Sequence, residues 1–224
     1  MNRSGYTLLE VSLFLAISGG LTLVALVGLA PRLNNVRFTS AMKGLQENVA
    51  KQISASQLGD NSDNDSYDCV PSGNTLQLNL GDSNSSSCVF VGRLAVFGVN
   101  RVDYRPIIAL RQSTCPASDP FSLDAIKDCS LARVLDADTN FQYSNGISRS
   151  SPATVGFGFV KSPDNNSVHR FIIENPSDGQ FQLNSIPASP TDKDVCYNLS
   201  NRTAKLSLST TRQEPVLEFN GVCS

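Results

Sequence analysis

Glu10 is the residue whose chemistry asks most of its surroundings. It is the one charge in a run that extends from Leu8 to Ala30. A carboxylate inside a membrane-length segment costs roughly 2–3 kcal/mol or more. Six cysteines form the second chemical group: Cys69, Cys88, Cys115, Cys129, Cys196 and Cys223, all beyond that run. An even number on one side of an apolar segment suggests disulfides in an oxidising compartment. Six cysteines allow fifteen pairings. Neighbour pairing (69 with 88, 115 with 129, 196 with 223) is expected because each closes a short local loop. Such a loop of about 20 residues stabilises by about 3 kcal/mol in the chain-entropy account. Zinc has little support, since no C-x-x-C occurs and His169 is the only histidine.

Other candidate groups carry ordinary alternatives. Asp60, Asp63, Asp65 and Asp68 cluster as a calcium site would, but an EF-hand needs Gly at position six and Glu at twelve. Counted from Asp63, those positions hold Asp68 and Asn74, so a solvated acidic loop is expected first and calcium second. His169, in "VHRFII", reads as a strand-surface residue, and with one histidine no hydrolase triad can be singled out. No catalytic residue and no cofactor is therefore expected. Arg93, Arg101, Arg105 and Arg111 raise the question of nucleic acid, but their spacing is irregular and strand-edge solvation accounts for them equally. A net charge of −2 gives nucleic acid no bulk attraction. The N-x-S/T triplets at Asn64, Asn84, Asn165, Asn198 and Asn201 are expected by chance in Asn- and Ser-rich text.

The elements that position these groups follow from hydrophobic patterning. Residues 8–30 would span about 35 Å as a helix, enough for a bilayer core. Pro31 should kink or interrupt it. Leu33, Val36, Met42, Leu45, Val49 and Ile53 then recur mainly at three- and four-residue steps, an amphipathic continuation to about Gln57. Strand-like runs follow at Thr75–Leu80, Cys88–Phe97, Val102–Leu110, Thr154–Val160, Val168–Glu174, Ala204–Leu208 and Val216–Phe219, with "SPDNNS" as a hairpin turn. "DPFSLDAIKDCSLARVLDA" could hold a short helix, and "IPASPTDKD" reads as a surface loop. The expected class is α+β, a long N-terminal helix against an antiparallel sheet.

The stretch "RSGYTLLE" and the apolar run behind it resemble the N-terminus of type IV pilins and pilin-like proteins. In that family a short basic leader ends in Gly, the next residue is usually aromatic and becomes N-methylated, and Glu is the fifth mature residue. The resemblance is specific over residues 3–30 and extends plausibly to 57. It implies a leader over residues 1–5, prepilin peptidase cleavage between Gly5 and Tyr6, and methylation of Tyr6. It further implies an apolar membrane or filament-core helix over 6–31, its amphipathic continuation over 32–58, and a disulfide-stapled, β-rich head over 59–224. Glu10 would then be an assembly charge, neutralised by the Tyr6 amine of its own or a neighbouring subunit. Implied partners are other pilin subunits, prepilin peptidase, the pilus assembly platform and, before assembly, membrane lipid; nucleic acid stays open. The implied location is the cytoplasmic membrane with the head outside, then a surface filament serving motility, adhesion or DNA uptake. The count of Arg3 against Arg32, Arg37 and Lys43 would reverse that orientation, and the cysteines outweigh it. A mature length of 219 residues tilts the expectation toward a minor subunit. The rivals are a pseudopilin of a type II secretion system and a membrane-anchored extracellular binding protein that never polymerises.

The Gly5→Ala variant is expected to keep its first five residues. The measurement is the N-terminal mass of protein extracted from membranes, and normal cleavage of the variant would show the proposed site to be wrong.

Overall fold

The structure is a computed structural model and describes residues 7–58, 67–72, 75–80, 88–110, 132–143, 146–150, 154–161, 168–177, 179–182, 188–189, 192–212 and 214–222. Among the described residues one helix, α1 (Leu8–Leu58), precedes fourteen strands. It is not interrupted at Pro31. A proline removes a single intrahelical donor, and here the hydrogen bonds on either side carry the helix through. The chain forms two compact units, Met1–Ser40 and Ala41–Ser224, so the last turns of α1 belong with the β-rich unit.

Within that second unit Met42, Leu45, Val49 and Ile53 are buried, at three- and four-residue steps. Gln46 Nε2 donates to the Pro215 carbonyl at 3.0 Å, and Gly44 lies close against the Phe141 ring. Leu33 and Val36, expected on the same stripe, are exposed (54% and 65%). The six-residue step from Val36 to Met42 breaks the three–four rhythm that would keep them on one face.

The strands form three sheets. β1 (Tyr67–Ser72) and β2 (Thr75–Leu80) make a two-stranded ribbon. The main sheet contains β3 (Cys88–Phe97), β4 (Arg101–Leu110), β5 (Ala132–Val134), β6 (Thr139–Gln142), β8 (Val155–Lys161), β9 (Val168–Glu174), β10 (Phe181–Gln182) and β11 (Ala188–Ser189). Its order is β10-β5-β4-β3-β8-β9-β11, and β6 also lies along β4. The third sheet is β14 (Val216–Phe219), β13 (Arg202–Leu208), β12 (Lys193–Leu199) and β7 (Ser148–Arg149), in that order. Every pairing is antiparallel. The seven expected strands are all present, and β8 and β9 pair as the hairpin expected around "SPDNNS", a segment that itself lies outside the described residues. The end of "DPFSLDAIKDCSLARVLDA" forms β5, and "IPASPTDKD", expected as a surface loop, contributes β11 and the start of β12. The remainder of the first segment lies outside the described residues.

Register explains why the centre of the main sheet is apolar almost without alternation. Ala95, Tyr104, Phe157 and Ile172 form a row on one face, and all four are buried. Leu94, Val96, Ile107, Ala109, Phe171 and Ile173 belong to a core cluster on the other. A strand buried on both faces loses its period-two signature. Gly158 is needed here: a Cβ would fall on the Phe171 ring, which lies across it from the paired position on β9.

One break organises this sheet. Beside β4, β5 pairs with Ile107–Ala109 and β6 with Arg101–Tyr104, so the neighbouring chain leaves β4 around Pro106. Proline has no N–H to offer on that edge. The detour is still anchored, because Leu135 N–H donates to the Pro106 carbonyl (2.9 Å) and Asp138 N–H to that of Tyr104 (3.2 Å). It carries the Asp138 carboxylate to Arg93 on β3 at 2.7 Å, with both side chains nearly excluded from solvent. Arg105 donates to the carbonyls of Ser177 (2.8 Å) and Gly179 (2.9 Å). Arg93 and Arg105 are thus interior groups with assigned partners, not the solvated edge residues expected from sequence. Arg101 is exposed and pairs with Asp103 at 2.9 Å; Arg111 lies outside the described residues.

The main and third sheets meet at tyrosines. Tyr143, just after β6, and Tyr197 on β12 bring their hydroxyls to 3.1 Å, with rings edge-to-face at 5.1 Å between centroids. Burial raises both phenols above their ordinary value, so they stay neutral and hydrogen-bond as hydroxyls.

Asp138→Ala is expected to destabilise the protein by about 3–5 kcal/mol, because it leaves the Arg93 guanidinium buried and uncompensated. Adding Arg93→Met should recover much of that loss. Chemical denaturation followed by near-UV circular dichroism measures both, and a single variant within error of wild type would contradict the account of the break.

Candidate functional site

The chemistry expected at the start of α1 depends on how a carboxylate is kept there. Thr7 precedes the helix and Glu10 lies in its first turn. Thr7 N–H donates to Glu10 Oε2 at 3.0 Å, and the Thr7 hydroxyl donates to the same oxygen at 3.1 Å. In return, Glu10 N–H donates to Thr7 Oγ1 at 3.3 Å. This is a capping box: two otherwise orphaned donors of the helix end are satisfied reciprocally. The negative charge also sits at the favourable end of the helix dipole. Both donors reach Oε2, so Oε1 keeps acceptor capacity for a group beyond the described residues. The sequence carries the signal as T-x-x-E from Thr7 to Glu10, a capping pattern that overlaps the Gly5-to-Glu10 offset.

Behind this turn, from Leu8 to Leu29, the large apolar side chains of the helix are exposed. Leu8, Leu9, Phe14, Leu21, Val24 and Val27 are all at least 66% exposed. The helix is long and apolar enough to cross a membrane. Its hydroxyls are adapted to surroundings without water: Ser12 donates to the Leu9 carbonyl (3.0 Å), Ser18 to Leu15 (3.2 Å) and Thr22 to Ser18 (2.8 Å). A hydroxyl bonded back to its own helix presents no unsatisfied donor to hydrocarbon.

The other expected site residues are scattered. Cys69 and Cys88 form a disulfide that ties β1 to the start of β3, and both are buried. It closes the small cluster of Leu76, Ile108 and Leu135. Cys196, buried on β12, is also disulfide-bonded. Cys115, Cys129 and Cys223 lie outside the described residues, as do Gly5 and Tyr6. So do Asp60, Asp63 and Asp65; Asp68 is half-buried on β1, and no metal-holding cluster occurs among the described residues. His169 is half-buried on β9, paired with Val160 in the ladder. Among the described residues these groups are not brought to one place, and expected and newly seen chemistry meet in the first turn of α1.

The fold and this turn together define an α+β protein with an N-terminal helix of membrane-spanning length and a disulfide-stapled head. No protein-family model, curated protein or solved structure matches the chain.

Thr7→Val removes the hydroxyl and should loosen the first turn by about 1 kcal/mol, whereas Thr7→Ser should keep it. Amide hydrogen exchange in detergent reads this directly: the Glu10 and Val11 amides should exchange faster in the valine variant. Equal exchange in all three proteins would show that the box does not hold the turn.

Proposed function

We propose that this chain is a structural subunit of a type IV pilus or pilus-like filament, cleaved between Gly5 and Tyr6 and assembled through α1. The observation that carries the reading is the exposed apolar surface of Leu8–Leu29 with one carboxylate in its first turn. A purely lipid-facing anchor needs the apolar surface and gains from the acid only the capping of its first turn. A helix that leaves lipid to pack among copies of itself gains registry from it. A subunit at the wrong height leaves a buried charge unpaired, and breaking a buried pair costs about 3–5 kcal/mol. The capping box complements this reading: it holds Glu10 through Oε2 in the isolated chain and leaves Oε1 for the Tyr6 amine.

On this reading the head faces the oxidising side of the membrane, in keeping with the Cys69–Cys88 and Cys196 disulfides. Prepilin peptidase and an assembly platform are the partners required, and the head supplies the exposed surface of the fibre. Motility, adhesion and DNA uptake belong to the filament as a whole.

Glu10→Val should be inserted and cleaved normally yet be depleted at least tenfold from sheared surface fibres, a barrier of about 1.4 kcal/mol or more. Incorporation at wild-type level would remove the registry argument. A native chain that still begins at Met1 would instead favour the non-polymerising anchor.

A further inference from the structure

We propose that Asn220–Gly221 is a site of spontaneous covalent modification, at which Asn220 loses its side-chain amide and becomes aspartate or isoaspartate. The inference is independent of the proposed function. Asn220 closes β14, is exposed, and has a left-handed backbone (φ 57°). Among the described asparagines it is the one followed by glycine. The comparison within the chain is informative. Asn175 is also left-handed (φ 49°), but Pro176 follows it and has no N–H to react. Asn198 is followed by Leu199, and its Oδ1 is held by the Ser148 hydroxyl at 2.9 Å. Among the described asparagines, Asn220 alone joins an exposed side chain to a successor without a Cβ to hinder ring closure.

The chemistry needs only water. The Gly221 backbone nitrogen gives up its proton and attacks Asn220 Cγ, forming a C–N bond. The Cγ–Nδ2 bond breaks and the amide nitrogen leaves as ammonia, giving a cyclic imide. Water then opens the ring. Attack at the side-chain carbonyl yields aspartate, and attack at the original backbone carbonyl yields isoaspartate, whose main chain runs through Cβ and Cγ. No oxidant, reductant or enzyme is required.

Closing the ring requires this turn to open, and its position makes opening easy. It follows the last strand, on an edge of the third sheet, where local opening costs least. Asn220 N–H donates to the Thr203 carbonyl (2.9 Å), and the Thr203 hydroxyl makes a long contact with Gly221 O (3.5 Å). The product adds a negative charge beside the Lys205–Glu218 pair (3.1 Å), close to which Gly221 packs. Isoaspartate also inserts a backbone carbon between β14 and the end of the chain.

The full-length protein in detergent is incubated at mildly alkaline pH, then reduced, digested with trypsin and analysed by mass spectrometry. The peptide from Gln213 to Ser224 contains Asn220 as its only asparagine. Conversion of the folded chain to both isomers, at a rate within about tenfold of the denatured chain, is the expected result. Gly221→Ala should slow it by about tenfold or more. That variant should fold, since the added Cβ would stand 3.2 Å from Lys205 Cβ at the surface and φ is not left-handed there. The proposal is overturned if conversion occurs only after denaturation, if aspartate forms without isoaspartate, or if the alanine variant converts as fast as wild type.

Discussion

An exposed apolar helix surface sets the terms for everything else in this protein. From Leu8 to Leu29 the large side chains stand exposed, and water is a poor solvent for them. Each such side chain is worth about 1.5–3 kcal/mol when removed from water. The sum over this helix exceeds the usual stability of a whole domain. Lipid or other helices would remove this surface from water. The back-bonded hydroxyls of Ser12, Ser18 and Thr22 and the capped carboxylate of Glu10 are the local adjustments that make either covering tolerable.

The β-rich unit solves a different problem, since it has to be stable on its own account. It does so with a sheet buried on both faces and with an ion pair brought to the place where the ladder fails. Pro106 creates the main failure by withholding a donor. The chain fills the gap with Leu135, Asp138 and Arg93, so one missing N–H leads to a buried ion pair. Arg105 serves the neighbouring loop in the same manner through two carbonyls. The Cys69–Cys88 bridge then secures a two-stranded ribbon that would be marginal alone.

How much of this could be read from the sequence depended on length and period. The helix was legible because fifty residues of apolar and then three–four patterning leave little alternative. β3 and β4 were legible as unbroken apolar runs, and β8 and β9 as runs flanking an Asn- and Pro-containing turn. β5, β7, β10 and β11 have two or three residues each and carry no period to detect. β12 was hidden by Lys193 and Asp194, which made its start look like loop. The buried roles of Arg93 and Arg105 depend on Pro106 and on a chain thirty or more residues away, so no local pattern could show them. At the candidate site the reverse held: Thr7 and Glu10 are three apart, and their partnership was readable as a capping motif.

The margins of the main sheet have a consequence for how copies of this chain can meet. Its ordered path ends in β10 on one side and β11 on the other, each two residues long. An edge that short offers too few free amides and carbonyls to template a strand from a second molecule. Pairing with a second molecule through these two end strands is thereby discouraged.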